Sequence, residues 1–192
     1  MPVKAGERLD PEATRARILK AAAEVFGRRG IHAAGMNEIV EAAGASKLTI
    51  YKNFGSKEGL VEAVLTDRTQ RVRAWHNEAV DAAPAGREQI LAVFELIATW
   101  YAEPGFRGCA MMNAATEDRG QDGAPRRLAQ DHLRFYRQLF ERLLTGARNP
   151  EVTARQLVVV LEGATLISAV DQDPGLGTEA RVIVETLLDA AF

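Results

Sequence analysis

The chain has 192 residues, 47% of them hydrophobic and 26% charged, and its formal net charge at pH 7 is −2. This is the composition of an ordinary globular protein, and the molecule as a whole is not a polycation. The single cysteine, Cys109, excludes an internal disulfide framework and fits a reducing compartment.

Charge is distributed unevenly along the chain. Residues 1–57 contain 10 Lys and Arg against 6 Asp and Glu, whereas the remainder contains 14 Arg against 20 acidic residues. A basic head on an acidic body suits a head that contacts phosphate, although chance gives such asymmetries too. Residues 1–10 are polar and no run of 18 apolar residues exists. We therefore expect no signal peptide, no membrane span and a cytoplasmic location.

Three short helices are predicted near the start of the chain. The first begins at Asp10-Pro11-Glu12, which offers an N-cap and a proline at the first position, and it ends at Arg28-Arg29-Gly30. The second covers residues 36–43 and is stopped by Gly44. Ser46 can cap the third, residues 47–53, whose Ile50 and adjoining Phe54 face inward. Two short helices joined by a glycine-containing turn predict a helix-turn-helix.

The segment GMNEIVEAAGASKLTIYKNFGSKEGL closely resembles the DNA-binding signature of tetracycline-repressor-like (TetR family) regulators, and the likeness covers residues 14–65. It is carried jointly by the sequence Ala42-Ala43-Gly44, by Ser46-Lys47, Thr49, Tyr51 and Phe54, and by Ser56-Lys57-Glu58. Three positions depart from the family pattern. Gly35 stands where Ser or Thr is usual, Val40 where Ala is usual, and Leu48 where a small residue usually faces the bases.

Six further helices are predicted from apolar spacing, caps and breakers. They cover approximately residues 57–81, 87–102, 108–117, 125–143, 150–169 and 178–191, with loops at 118–123 and 171–177. No segment alternates with period two, so an all-α protein is expected. The resemblance implies the same: an N-terminal three-helix DNA-binding domain, residues 10–56, and a larger C-terminal ligand-binding and dimerisation domain, residues 57–192, with about nine helices in all.

The predicted recognition helix presents Lys47, Leu48, Thr49 and Lys52 to the major groove of operator DNA. Leu48 is suited to a thymine methyl group and Lys47 to guanine acceptors. The resemblance implies that Tyr51 and Lys57 contact phosphate. Two alternatives remain open: that the lysines form a merely solvated face, and that Tyr51 belongs to the core.

One such head contacts too few base pairs for useful specificity, so a homodimer is expected. The last two predicted helices, within residues 151–192, are apolar over much of their circumference. The resemblance implies that they pair with their symmetry mates in a four-helix bundle. The alternative is that the first of them is only the centre of its own domain.

The body contains aromatic and polar residues that suit a small-molecule cavity, and the resemblance implies such a cavity below the fourth helix. The candidate ligand-binding residues are Trp75, Trp100, Cys109, Asn113 and Tyr136. Ordinary helix packing is the alternative role for Cys109 and Asn113. A redox- or electrophile-sensing role for Cys109 also stays open, but no Lys or His lies within one helical turn of it.

Enzyme motifs are missing from the sequence: no glycine-rich phosphate loop, HExxH, zinc-type cysteine pair or GxSxG occurs. We therefore predict no enzyme activity, cofactor or metal site, with a cluster of His76 and His132 as the less favoured alternative. The predicted function is a homodimeric repressor that an unidentified small molecule releases from its operator. A DNA-binding protein that senses no ligand is the other candidate.

Overall fold

The computed structural model describes residues 10–118 and 123–192, which form nine helices and no strand. The helices are α1 Pro11–Arg29, α2 Met36–Ala43, α3 Lys47–Phe54, α4 Lys57–Ala82, α5 Arg87–Tyr101, α6 Ala110–Glu117, α7 Ala124–Leu143, α8 Pro150–Asp171 and α9 Leu176–Ala191. The prediction of an all-α fold is confirmed. Residues 1–9, where no signal peptide was expected, and residues 119–122 of the predicted loop 118–123 lie outside the described residues.

The chain divides into two compact units between Asp67 and Arg68, inside α4. The described part of the first unit is residues 10–67, and the second comprises the described residues from 68 onward. The sequence placed the functional division earlier, between residues 56 and 57, where the helix-turn-helix ends.

Helix ends in the first unit follow the predicted caps. The Asp10 carboxylate accepts a hydrogen bond from the Glu12 amide at 3.0 Å, and Ser46 Oγ accepts one from the Thr49 amide at 3.0 Å. Gly44 ends α2 in the left-handed conformation, with φ of 55°. Because few side chains adopt this conformation without strain, Gly44 fixes the sharp turn between α2 and α3.

The core of the first unit is a small apolar cluster. Its fully buried members are Ile18, Ala22, Val25, Ile39, Ile50 and Leu60. Arg17 of α1 donates hydrogen bonds to the carbonyl groups of Ala43 and Gly44 at the end of α2. A cation at a helix C-terminus satisfies carbonyl groups that the helix leaves free, so Arg17 holds α1 against the turn of the motif.

The second unit has a larger core built from α5, α7, α8 and α9. Phe94 stacks on Phe140 with ring centroids 5.9 Å apart, and both rings are fully buried. Leu157 of α8 and Leu188 of α9 are likewise inaccessible to solvent. These contacts give the second unit its own hydrophobic core, as an independent domain requires.

Three helix boundaries differ by two residues from the approximate predictions. The sixth helix was expected from about residue 108, but Gly108 has φ of 80° and the helix begins at Ala110 after Cys109 as N-cap. The ninth was expected from residue 178, but α9 begins at Leu176 and includes Gly177, which is buried within it. The eighth helix continues to Asp171, where Gln172 takes the left-handed conformation that ends it.

Among the described residues, α8 is the one helix that is long and apolar enough to cross a membrane by length and composition, and 39% of its most apolar window is buried. A single helix of this kind is weak evidence for a membrane span. Core helices of soluble proteins share this property. Its buried residues include Leu157, Leu161 and Ala164, which pack into the core of the second unit.

The close approach of α9 to α5 supplies a stability prediction. A Cβ atom on Gly177 would lie 2.4 Å from Ala98 Cβ and 2.7 Å from Ala98 Cα. Replacing Gly177 with Ala should therefore lower the free energy of unfolding by about 1–3 kcal/mol, because the two helices must move apart. Urea unfolding followed by circular dichroism measures the change.

Gly27 provides the matched control, since a Cβ atom there would meet nothing within 4 Å. Gly27→Ala should raise the stability of α1 by about 0.5–1 kcal/mol through helix propensity alone. Equal shifts for the two variants would show that the contact with Ala98 is unimportant.

Candidate functional site

The recognition helix α3 is anchored on one side only. Ile50 is fully buried, and Phe54 is half-buried with the Arg15 guanidinium 4.7 Å above its ring. Lys47, Leu48 and Lys52 are exposed, and the Leu48 side chain is 79% accessible. An apolar side chain that projects into solvent from a helix flanked by lysines suits contact with base edges in a groove.

The remaining predicted DNA contacts border this face. Thr49 and Tyr51 are half-buried, and the Lys47 ammonium lies 5.9 Å from the centroid of the Tyr51 ring. Lys57, the first residue of α4, reaches toward the His32 carbonyl oxygen at 3.4 Å. Ser56 Oγ accepts a hydrogen bond from the Gly59 amide at 3.1 Å and so supports the start of α4.

Gly35 precedes α2 and makes no side-chain cap, as its lack of a side chain requires. Arg29 of α1 instead approaches Glu38 of α2, with Nε 3.5 Å from Oε1. This ion pair links the end of α1 to the first turn of α2.

The second unit contains a cavity of about 200 Å³ that is partly open to solvent. This is more than ten times the roughly 15 Å³ that admits one water molecule. Residues of α4 to α8, with Glu103 and Cys109 from the segments between helices, line it, and the lining includes Trp75, Trp100, Cys109 and Tyr136, four of the five predicted ligand-binding residues. An apolar cavity with few polar groups is the usual form of a small-molecule site.

Asn113, the fifth predicted residue, does not line the cavity. It is exposed, and its Nδ2 donates a hydrogen bond to the Arg107 carbonyl oxygen at 2.9 Å. The Cys109 carbonyl oxygen accepts a bond from the Asn113 amide at 2.9 Å, so the two residues are one helical turn apart as predicted. The Asn113 side chain closes the turn that precedes α6.

Two histidines flank Tyr136 in the cavity wall. His76 Nδ1 donates to the Val72 carbonyl oxygen at 2.8 Å, which leaves Nε2 to accept a hydrogen bond from the Tyr136 hydroxyl at 3.2 Å. Burial lowers the pKa of His76 to about 4, so its ring is neutral at pH 7. Burial also raises the pKa of Tyr136 well above its ordinary value.

The second histidine, His132, lies between a thiol and a carboxylate. Cys109 Sγ is 3.3 Å from His132 Nε2, and Glu162 Oε1 is 3.4 Å from the same nitrogen. Burial works against the charged ring, but the Cys109 and Glu162 side chains outweigh it and raise the pKa of His132 to about 9. The side chains of His132 and Glu162 are only 4% and 16% exposed.

A hydroxyl pair completes the polar part of the wall. Thr165 Oγ1 donates to the Leu161 carbonyl oxygen at 2.7 Å and lies 2.8 Å from the Tyr101 hydroxyl, which therefore donates to it. Burial raises the pKa of Tyr101 to about 12, so the phenol stays protonated.

Sequence reasoning missed Glu162 and the pairing of His132 with Cys109. The sequence contained only weak indications of this cluster. His132 stands on the apolar stripe of α7, and Glu162 follows the apolar run 157–161 on α8. A polar residue on a buried face predicts a buried polar cluster, but it does not identify the partners.

Together, an exposed recognition helix on a helix-turn-helix and a ligand-sized cavity in a separate helical unit define a DNA-binding transcription regulator with a candidate effector site. The family of bacterial regulatory proteins, tetR family, matches residues 18–64. The transcriptional activator FasR of Mycolicibacterium smegmatis is 39% identical over 90 residues, which are 47% of this chain and 41% of FasR. The regulator UidR of Escherichia coli is 36% identical over 72 residues, 38% of this chain and 37% of UidR. The alignments thus cover less than half of these relatives.

Solved structures match over nearly the whole chain. SCO4454, a TetR-family transcriptional regulator of Streptomyces coelicolor, is 29% identical with a TM-score of 0.87, covering 93% of this chain and 95% of that one. SAV143 of Streptomyces avermitilis, described as a TetR-type regulator, is 32% identical with a TM-score of 0.82, covering 93% and 97%. The chain belongs to the TetR family. These similar proteins are transcription regulators and not enzymes, which confirms the predicted class.

Proposed function

We propose that this TetR-family regulator is a homodimeric cytoplasmic repressor that a small molecule releases from double-stranded operator DNA. In this proposal residues 10–56 bind the operator, and residues 57–192 bind the effector and dimerise. The single observation that supports this proposal most is the course of helix α4. This continuous helix begins at Lys57, three residues after the recognition helix, and lines the cavity with Val72, Trp75 and His76.

DNA recognition is assigned to six residues of the first unit. Lys47, Leu48, Thr49 and Lys52 read the major groove, while Tyr51 and Lys57 contact phosphate. The exposure of Lys47, Leu48 and Lys52 supports the first group. The position of Lys57 at the N-terminus of α4 supports the second, because the helix dipole favours an anion there.

Dimerisation is assigned to α8 and α9 because apolar side chains on both remain exposed in one chain. Val159 and Val170 of α8 are each 71% exposed, and Leu166 is 61% exposed. Val182 and Ile183 of α9 are more than half exposed as well. Several large apolar side chains exposed on two helices are typical of a face that a partner covers, here a second copy of the chain.

Control by an effector requires a site for the ligand and a difference in its affinity for two conformations of the protein. The cavity beside Trp75, Trp100 and Cys109 gives a ligand a place to bind, which favours a sensor over a DNA-binding protein that ignores ligands. To change operator occupancy, the ligand must bind the non-operator conformation more tightly, because equal affinity for both conformations shifts nothing. A ligand packed against the second half of α4 would act on the helix that begins beside Lys57.

The central test is capture of genomic DNA. Purified protein is mixed with fragmented genomic DNA, and the retained fragments are sequenced after elution with salt. Recurrent fragments that share a two-fold symmetric sequence are expected, and elution should occur at moderate salt because phosphate contacts dominate affinity. No salt-sensitive retention of any fragment would exclude the regulator. A reporter gene behind a captured fragment then distinguishes repression from the activation that FasR is named for.

The cavity yields a separate prediction. Ala110 lines it and is only half-buried, so Ala110→Phe should fill much of the space without disrupting the core. Fluorescence of the apolar dye anilinonaphthalene sulfonate should increase with wild-type protein and rise at least about tenfold less with the variant, since a filled cavity offers no apolar surface. DNA retention should be unchanged.

Ala74→Phe is the matched control, because Ala74 is exposed on α4 and does not line the cavity. This variant should bind the dye like wild-type protein. If Ala110→Phe also binds it like wild type, the dye occupies another surface and the cavity is not the ligand site.

A further inference from the structure

Three potential metal ligands converge in the cavity wall from different parts of the second unit. Cys109 precedes α6 as its N-cap, His132 lies on α7 and Glu162 lies on α8. Their donor atoms Sγ, Nε2 and a carboxylate oxygen all lie within 4.8 Å of one another. We propose that these three side chains bind one Zn²⁺ ion and that the fourth coordination position faces the cavity.

Two of the three distances between the donor atoms suit a shared tetrahedral centre, and the third, from Cys109 to Glu162, is within 4.8 Å. Zinc binds sulfur at about 2.3 Å and nitrogen or oxygen at about 2.0–2.2 Å, so tetrahedral ligands lie roughly 3.3–3.6 Å apart. The Cys109 Sγ to His132 Nε2 distance is 3.3 Å, and the His132 Nε2 to Glu162 Oε1 distance is 3.4 Å. Both values agree with two edges of a zinc coordination sphere.

The same geometry argues against a nucleophilic cysteine with a histidine base. In such a site the third residue orients the base through the other ring nitrogen. Here the thiol and the carboxylate both approach Nε2, and one proton on that nitrogen cannot serve two acceptors well. Glu162 Oε1 is buried, and apart from its 3.4 Å approach to His132 Nε2 it has no hydrogen-bond partner among the described residues. A cation between the three atoms gives each of them a partner.

The chemical types of the three ligand atoms also favour zinc over other cations. Sulfur and imidazole ligands suit zinc, whereas Mg²⁺ and Ca²⁺ take oxygen ligands. A thiolate and a carboxylate together neutralise a divalent charge in this buried wall, which removes the electrostatic penalty of burying either anion alone. His76, the other histidine of the cavity, contributes no ligand, because its two nitrogens already bond to Val72 and Tyr136.

Three protein ligands with one open position are typical of zinc sites that exchange a ligand and not of purely structural ones. All three residues line the cavity, so water or a donor atom of the effector can complete the coordination. Zinc binding itself does not depend on the proposed repressor function. The regulatory consequence rests on that function: an effector bearing a thiol, imidazole or carboxylate group binds the metal directly.

Cobalt titration of the full-length protein tests the site without DNA. The protein is dialysed against a chelator, transferred to metal-free buffer and titrated with Co²⁺ as a spectroscopic substitute for Zn²⁺. We expect one Co²⁺ per chain, a near-ultraviolet thiolate-to-cobalt charge-transfer band, and the visible bands of tetrahedral cobalt. Added Zn²⁺ should abolish all of these bands. No charge-transfer band in the wild-type protein would overturn the proposal.

Variants identify the ligands. Cys109→Ser and the nearly isosteric Glu162→Gln should each weaken cobalt binding by more than about 100-fold, beyond the usual effect of changing a residue that only supports a ligand. Circular dichroism checks that both remain helical. His32→Gln, which changes an exposed histidine of the other unit, should bind cobalt like wild type. Unchanged binding by Glu162→Gln or Cys109→Ser would exclude this ligand set. If the protein binds cobalt as expected but retains no DNA, only the repressor proposal is contradicted.

Discussion

Val159→Glu should convert the proposed dimer into monomers and remove specific operator binding. Val159 lies on α8 and is 71% exposed, so the change removes little packing within the chain. In the proposed dimer, however, two carboxylates would enter an apolar interface. A penalty of at least about 3 kcal/mol raises the dimer dissociation constant by more than about 100-fold. Sedimentation velocity across a concentration series measures the effect.

Dissociation of the proposed dimer should also weaken binding to the operator. Two linked heads bind two half-sites as one event, and separate heads lose this advantage of effective concentration. Gln138→Glu is the matched control: it places the same carboxylate on the exposed side of α7, and it should leave both mass and affinity unchanged. A Val159→Glu protein that sediments like wild type would place the interface elsewhere.

The second large effect is expected from the phosphate contacts. The double variant Tyr51→Phe with Lys57→Gln keeps the aromatic ring of residue 51 and part of the aliphatic chain of residue 57. It removes one hydroxyl group and one positive charge from each DNA-binding head. Hydrogen bonds to charged groups contribute about 1.5 kcal/mol or more, so losing four per dimer should weaken operator binding by roughly 10⁴-fold or more. Fluorescence anisotropy with a labelled operator fragment measures the loss.

Salt dependence separates this effect from a change in fold. Loss of two lysine contacts per dimer should reduce the slope of log affinity against log salt by about two, since each neutralised phosphate contributes about 0.9. Lys20→Gln removes the same charge from an exposed position of α1 outside the proposed contact surface, and its slope should match wild type. Equal slopes for all three proteins would exclude Lys57 as a phosphate contact.

Local signals made the first unit predictable. The Asp10 cap, the Gly44 turn and the Ser46 cap act within four residues, so their chemistry can be identified from the sequence and recurs in the structure. The helix α2 has the predicted bounds, Met36–Ala43. Phe54 was expected to face inward like Ile50, but it is only half-buried, with the Arg15 guanidinium above its ring.

Tertiary contacts explain the boundaries that sequence reasoning placed wrongly. Gly177 was taken for a loop residue, because glycine is a frequent helix breaker. In the structure it is a helical residue whose missing side chain lets α9 approach Ala98 of α5. Only the packing of two helices far apart in sequence reveals which role a glycine has.

The cavity could be predicted in part. Aromatic residues such as Trp75 and Trp100 indicated its lining, because large rings together with polar residues suit a small-molecule cavity. The cluster of Cys109, His132 and Glu162 was beyond a linear pattern, since its members belong to three helical segments and are not neighbours in sequence. Their meeting depends on how α6, α7 and α8 pack, which spacing along one helix does not specify.

The exposure of Leu48 has an evolutionary consequence. Its side chain supports no core, so replacing it changes the outer face of α3 while Ile50 continues to anchor the helix. Substitutions at this position should therefore change the free energy of unfolding little, whereas most substitutions are constrained by the stability that the protein must keep. In the proposed role of Leu48 in reading bases, a lineage of such proteins can acquire new target genes through single changes here and keep the fold and the cavity that it inherited.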